Sequence, residues 1–319
     1  MNKPIENLGF VFPGQGSQSV GMVQSLADEF AVIRQRFESA SDATGVNLWD
    51  LVSNGPEELL NQTSNTQPAL LAASVSMWDV WQSCGGPQPA CVAGHSFGEY
   101  YALVCAGALE FETAASLVHA RGTYMQAAVP AGEGAMAAIL GLELDQLQDI
   151  CDAIGVDGAV CTPANLNAPG QIVIAGHATA VDKACEQAKA AGAKRAMTLA
   201  VSAPIHCELM APAAAQLESR LNEVAIAAPE IPVIHNVDVA EHADADSIRQ
   251  ALVAQVTSPV RWIETIESFT ARGITQLVEC GPGKVLSGLV KRIDRNIKSH
   301  NLSDGDSIRA AIEALGENS

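Results

Sequence analysis

Short apolar runs punctuate the chain, each followed by a turn and then by a longer stretch with helical spacing. Leu8-Gly9-Phe10-Val11-Phe12 stands before Pro13, and Ala90-Cys91-Val92-Ala93 stands before Gly94. Brief apolar runs bounded by Gly or Pro predict buried strands. After the first, a tight loop Gly14-Gln15-Gly16-Ser17-Gln18 leads to Val23, Leu26, Ala27 and Phe30 at helical spacing. After the second, Glu99-Tyr100-Tyr101-Ala102-Leu103-Val104-Cys105-Ala106 predicts a helix ending near Gly107. Further helices are expected at about 66–82 and 108–128. Alternation of this kind predicts an α/β domain with a mainly parallel sheet.

From about residue 130 to 202 the rhythm changes. Gly134 to Leu140 predicts a strand, and Leu144, Leu147, Ile150, Cys151 and Ile154 line one helical face. Ala159-Val160-Cys161 and Gln171 to Ala175 predict two strands, joined by an Asn/Pro/Gly-rich loop at 163–170. Thr179 with Asp182 resembles a capping box, with Val181, Ala184, Cys185 and Ala188 following at helical spacing and Gly192 as the stop. Lys194 to Val201 supplies a last strand. The order βαββαβ is the ferredoxin-like arrangement. It predicts a small subdomain, 130–202, inserted into a core made of 1–129 and 203–319.

After the insertion, Leu209, Ala213, Leu217, Leu221 and Val224 mark an amphipathic helix, with Pro212 at its start after a short turn at 205–210. Ile231 to Val237 and Ile274 to Glu279 are the last clear strands, and the tail after about 300 is expected to dock loosely. The length of 319 residues suits two domains. With 48% hydrophobic and 17% charged residues, the composition argues for a large core and against disorder. No apolar run is long enough to span a bilayer, and the first residues read as neither signal nor transit peptide, so a cytoplasmic protein is expected. Eight cysteines without a C-x-x-C pair fit a reduced compartment and support no zinc motif. A net charge of −18 argues against a nucleic-acid partner.

Gly94-His95-Ser96-Phe97-Gly98 is a G-x-S-x-G pentapeptide between a strand and a helix, the setting of a nucleophile elbow. The helix N-terminus offers free N–H groups to an oxyanion. A glycine-rich turn with an incidental serine has the same pattern. Among seven histidines, His206 is the best candidate base, on the loop-to-helix junction Ser202-Ala203-Pro204-Ile205-His206. A helix N-terminus there would favour the neutral imidazole a base needs, although a lone histidine also suits a structural role. His95 reads as structural or substrate-lining. One oxyanion donor is expected from the N–H of Phe97. A second fits the Gly14-Gln15-Gly16 loop, which is equally an ordinary βα turn. Arg121, by its position alone, is a surface arginine on a helix.

These segments together resemble the malonyl-CoA:acyl carrier protein transacylases. The resemblance is carried by Phe10 to Gln18, Thr66-Gln67-Pro68-Ala69, Gly94 to Tyr100 with Ala102 to Gly107, and Arg121-Gly122. It continues in Gly134 to Ala138, Asn165 to Gln171, Pro204-Ile205-His206 and Glu279 to Leu286, and so runs from about 8 to 295. Phe97 departs from the leucine that bacterial members often carry. The resemblance implies an α/β-hydrolase-like core, with Ser96 as nucleophile and His206 as general base and then acid. It implies that the backbone carbonyl of Gln255 orients His206, that Gln15 and Phe97 supply oxyanion N–H groups, and that Arg121 holds the malonyl carboxylate. His95 and Asn165 would line the substrate. The implied cycle is ping-pong, with malonyl-CoA as donor and acyl carrier protein as acceptor. No metal or other cofactor is implied, and a monomer is expected. A discrete acyltransferase of a polyketide pathway would share every catalytic residue; a serine hydrolase such as a thioesterase would share the elbow, and Arg121 with the overall match favours transfer over it.

Both substrates are anionic, so an acidic protein must concentrate cations where they bind. Lys194 with Arg195, and Lys284, Lys291 and Arg292 with Arg295, are the clusters that suit carrier-protein docking. Solvated surface charge is the plainer reading of each.

Overall fold

The computed structural model describes residues 4–155, 158–199, 201 and 203–316. The first strand, β1 (Ile5–Phe12), is followed by α1 (Gln24–Glu29), α2 (Ala31–Thr44), α3 (Leu48–Asn54), α4 (Glu57–Leu60) and the long α5 (Thr63–Ser83). Then come β2 (Pro89–Gly94), α6 (Gly98–Cys105) and α7 (Phe111–Ala127). The middle of the chain gives β3 (Gly134–Leu140), α8 (Leu144–Ile154), β4 (Cys161–Ala168), β5 (Gln171–His177), α9 (Ala178–Ala190) and β6 (Arg195–Thr198). The last third gives α10 (Ala211–Leu221), β7 (Val233–Ile234), α11 (Ala245–Thr257) and α12 (Trp262–Ala271). It closes with β8 (Gln276–Glu279), α13 (Val285–Ile293), β9 (Lys298–Asn301) and α14 (Gly305–Gly316).

Two sheets result. The larger is parallel, in the order β7-β2-β1-β8-β9. The smaller is antiparallel, in the order β4-β5-β3-β6, which is the ferredoxin-like order. The fold is therefore α/β, with a parallel main sheet and a small antiparallel one. Helix α5 is buried along most of its length, and Trp78 and Trp81 pack edge-on against Phe10 of β1. Pro68 lies inside α5 and has no N–H for the Ser64 carbonyl; His119 Nδ1 of α7 stands 2.9 Å from that oxygen instead.

Several elements differ from the sequence reading. Residues 163–168, expected in a loop, belong to β4. Its register shifts at Pro163/Asn165 and at Leu166/Ala168, and bulges of this kind admit proline and asparagine into a strand. Strand β7 is only two residues long. Helix α9 starts directly after β5 with His177 as its cap, and Ala178 N–H donates to the Glu133 carbonyl, so Thr179 caps nothing. The tail after 300 is not loose. Strand β9 pairs with β8, and α14 buries Ile308, Ala311 and Leu315. The end of the expected strand 194–201, Ser202 and the 202/203 boundary touch residues outside those described. No helix among the described residues is long and apolar enough to cross a membrane.

Candidate active site

Strands β1 and β2 run side by side, with Phe12 opposite Gly94, and the Phe12 carbonyl accepts from His95 N–H at 2.9 Å. The chain then turns sharply into α6. A Cβ on Gly94 would stand 1.8 Å from the carbonyl carbon of Gly98, so only glycine permits the turn. Gly14 lets the loop after β1 come equally close: a Cβ there would stand 2.8 Å from the His95 carbonyl oxygen. That loop is braced by Ser17 Oγ donating to the Gly14 carbonyl and by Gly16 N–H donating to Gln18 Oε1.

Ser96 occupies the elbow at φ 55° and is 3% exposed. His206 stands at φ 63° and is fully buried. Left-handed backbone in a non-glycine residue is strained, and such residues cluster at active sites. Ser96 Oγ lies 2.6 Å from His206 Nε2, and His206 Nδ1 lies 2.8 Å from the Gln255 carbonyl oxygen. With Nδ1–H donating to that carbonyl, Nε2 is the free acceptor for the serine proton. Burial lowers the His206 pKa to about 3, with the nearby Arg121 charge the next cause. The imidazole is therefore neutral. The sequence reading expected neutrality from a helix end; desolvation supplies it.

Arg121 is 1% exposed, on α7, not on the surface as its position alone would place it. Its Nη2 donates to Gln255 Oε1 at 3.0 Å and to Ser96 Oγ at 3.4 Å, and its Nη1 donates to Gln67 Oε1 at 3.1 Å. Gln255 Nε2 donates to the Ser96 carbonyl at 3.0 Å. Ser96 N–H donates to Asn236 Oδ1 at 2.8 Å. Sequence reasoning assigned no role to Gln67 or Asn236, nor to the Gln255 side chain.

A cavity of about 380 Å³ opens over the serine. The core lines it with Gln15, Gly16, Gln18, Asn61, His95, Ser96, Phe97 and Ile205. The small sheet and the segment that leaves it add Met136, Asn165, Asn167, Val173, Leu199 and Val201. Gln15, Phe97, His95 and Asn165 thus line the cavity, whereas His206 and Arg121, both in contact with Ser96 Oγ, do not. Neither the Gln15 nor the Phe97 N–H is engaged by another described residue. His95 Nε2 meets Asn167 Oδ1 at 2.8 Å, and its ring packs against Trp262.

None of Lys194, Arg195, Lys284, Lys291 and Arg292 lines the cavity. Lys194, Arg195 and Arg292 share one groove at the seam of the two sheets, where Arg292 Nη1 donates to Gln171 Oε1 at 2.9 Å. Lys284 and Lys291 share a second groove with Arg295.

A serine on a strand-to-helix elbow, hydrogen-bonded to a neutral imidazole and facing a pocket, is the arrangement of enzymes that work on acyl groups with a serine nucleophile. Comparison with known proteins narrows the class. Residues 9–307 match the acyl transferase domain, and the chain belongs to that family. It is 50% identical over 303 residues to the malonyl CoA-acyl carrier protein transacylase of Salmonella typhimurium, covering 95% of this chain and 98% of that protein. The transacylase structure from Coxiella burnetii is 50% identical, with a TM-score of 0.95 over 97% of this chain and 98% of that one. A malonyl-transacylase solved with a type II PKS acyl-carrier protein is 51% identical, with a TM-score of 0.95 over 97% and 99%.

Proposed function

We propose that this chain moves a malonyl group from malonyl-CoA to the phosphopantetheine thiol of acyl carrier protein, for fatty-acid synthesis, through a malonyl-serine intermediate. His206 Nε2 takes the Ser96 proton as Oγ attacks the thioester carbonyl. The N–H groups of Phe97 and Gln15 receive the oxyanion. The tetrahedral intermediate collapses, His206 returns the proton to sulfur, and coenzyme A leaves. The carrier-protein thiol then attacks the ester by the same route in reverse. Gln255 holds the imidazole through its carbonyl, and His95 and Asn165 line the acyl and thioester path. The core, 1–129 and 203–319, does the chemistry; the inserted subdomain, 130–202, covers it. A cytoplasmic monomer suits this role. The chemistry needs no metal or organic cofactor beyond the coenzyme A thioester.

The observation that carries this reading is Arg121, buried within reach of the serine, donating to two amide oxygens and the Ser96 hydroxyl and paired with no carboxylate among the described residues. A malonyl carboxylate would give that charge its missing counterion, and a planar guanidinium grips a carboxylate with two parallel bonds. The pairing has a second effect. Arg121 helps hold His206 unprotonated. Neutralising Arg121 with substrate carboxylate relieves that repulsion and makes the imidazole a better base. An acetyl group offers neither benefit.

Intact-mass measurement after mixing with malonyl-CoA or acetyl-CoA tests the reading. Malonylation is expected in the native chain, none in Ser96→Ala, and in Arg121→Ala a fall of about 100-fold in the malonyl-over-acetyl preference. Equal labelling by both donors in the native chain would refute it. A polyketide carrier protein as acceptor is a second reading, favoured by the similarity to a transacylase solved with such a partner. Rates with carrier proteins of the two kinds separate these. Release of free malonate as fast with carrier protein as without would point to a thioesterase.

A further inference from the structure

Glu99, His235 and Asn236 lie behind the elbow, and none of them is exposed to solvent. A carboxylate in the core is costly unless it is fully hydrogen-bonded. Glu99 Oε1 accepts from Asn236 N–H at 2.6 Å, and Glu99 Oε2 lies 3.0 Å from His235 Nδ1. Glu99 belongs to the first turn of α6, three residues after the nucleophile, where a helix end favours negative charge. His235 and Asn236 directly follow β7, the strand that pairs with β2. The group therefore ties the ends of two neighbouring strands together beneath the serine. His235 Nε2 and Asn236 Nδ2 are buried without a partner among the described residues. Simple packing could have used apolar side chains here.

We propose that Glu99, His235 and Asn236 form a positioning unit that holds Ser96 in its strained, left-handed backbone and so keeps Oγ on His206. Asn236 Oδ1 grips the Ser96 N–H at 2.8 Å. On the other side of the residue, Gln255 Nε2 and Glu99 N–H both donate to the Ser96 carbonyl at 3.0 Å. The two peptide planes that set φ are thus pinned separately. Glu99 serves both sides, through its side chain on Asn236 and its own N–H on the carbonyl. Occupying the Ser96 N–H also leaves the Phe97 and Gln15 N–H groups as the pair that faces the cavity. Without Asn236, Ser96 relaxes toward ordinary backbone and Oγ swings away from the imidazole.

The inference rests on the serine-ester reading above, so its test has one arm independent of the acyl donor. Acylation by malonyl-CoA and labelling by a small fluorophosphonate are timed in Asn236→Ala, Glu99→Ala and Glu99→Gln. In the second reaction Ser96 Oγ displaces fluoride from phosphorus, whatever the natural substrate. Malonyl-CoA affinity is measured separately with Ser96→Ala added to each. Asn236→Ala and Glu99→Ala are expected to slow both reactions by about 100-fold, as misplacement of a reacting atom does, with affinity changed less than about 3-fold. Glu99→Gln keeps an acceptor for Asn236 N–H and is expected to recover most of the rate. If the alanine variants do not fold, Asn236→Leu, of similar volume and without the acceptor, carries the same expectation. Folded variants that react within about 3-fold of the native chain in both arms would overturn the proposal. So would failure of Asn236→Leu to fold beside a folded Glu99→Ala that reacts at the native rate in both arms, since that assigns the group to stability alone. A native chain that labels with fluorophosphonate but not with malonyl-CoA would count against the donor and leave this inference testable.

Discussion

The two sheets meet at one cavity and contribute opposite kinds of wall. The parallel sheet brings strained backbone, buried charge and glycines at van der Waals limits: Ser96 and His206 at positive φ, Arg121 beneath them, Gly94 where no side chain fits. The antiparallel sheet and the segment that leaves it bring apolar and amide side chains, Met136, Val173, Leu199, Val201, Asn165 and Asn167. Strain and desolvation are needed where bonds change, because they fix a reacting atom and tune its proton affinity. A wall that only selects and encloses an acyl chain needs shape and a few polar groups. The division teaches where damage is fatal and where it is graded.

The largest effect is expected at His206. Replacement by alanine should cut the acylation rate by about 1,000-fold or more, because the serine loses its proton acceptor. Rapid-quench kinetics with malonyl-CoA measure it. Its pH behaviour has a definite sign. With the folded-state value at about 3, the base stays neutral through the ordinary histidine range, so activity should show no loss of base near pH 6.5. The stability effect runs alongside. Between about pH 6.5 and about 3 the unfolded chain binds a proton at this residue and the folded chain does not, so stability falls as pH falls through that window. Denaturant midpoints should therefore decline less steeply with acid in His206→Gln than in the native chain. An acid limb of kcat/KM at pH 6.5 in native enzyme that is still folded would break the argument.

The same division explains what could be read from the sequence. The elbow was legible because its meaning is local: strand, glycine, serine, glycine and helix are consecutive. The order βαββαβ was legible from periodicity. Strand β4 was not, because Pro163, Asn165 and Asn167 look like turn residues until the bulges that accommodate them are seen. The C-terminal α14 was missed because its short apolar stripe, Ile308, Ala311 and Leu315, follows the Ser/Asp/Gly run 303–307, in a helix whose apolar residues are mostly alanine and isoleucine. Residue roles that depend on distant partners were silent. Asn236 meets Ser96 across 140 positions, and nothing near it announces that contact. Arg121 was assigned through family resemblance alone, since helical spacing does not say what a buried arginine faces.

An intermediate effect is expected at the seam, where Lys194 and Arg195 of the small sheet's end share a groove with Arg292 of α13. Changing Arg195 and Arg292 to glutamate should lower kcat/KM for an acidic carrier protein by about 10-fold at low salt and by less at high salt. Transfer to free pantetheine, which carries no net charge, should move by less than about 2-fold. This contrast sharpens the comparison, because it separates recognition of a macromolecule from chemistry at the serine. Equal loss with both acceptors would remove the groove from docking.

The smallest effect is expected at Asn167, the side chain through which the small sheet touches the elbow. Asn167→Ala removes the partner of His95 Nε2. The His95 ring still packs against Trp262, and its own N–H still holds the Phe12 carbonyl, so the elbow keeps its shape. Ser96, His206 and Arg121 lose no contact. The expected result is a rise in KM for the acyl-CoA of about 3- to 10-fold, the range of one hydrogen bond, with kcat within about 2-fold. The main-chain bridge between β4 and Val260 argues the other way. Leu166 N–H donates to the Val260 carbonyl and Val260 N–H donates to the Ala164 carbonyl, each at 2.9 Å, so β4 is stitched to the segment that follows α11 and Gln255. If kcat falls with KM in Asn167→Ala, strain is being transmitted along that stitch, and the small sheet belongs to the catalytic machinery rather than to the wall.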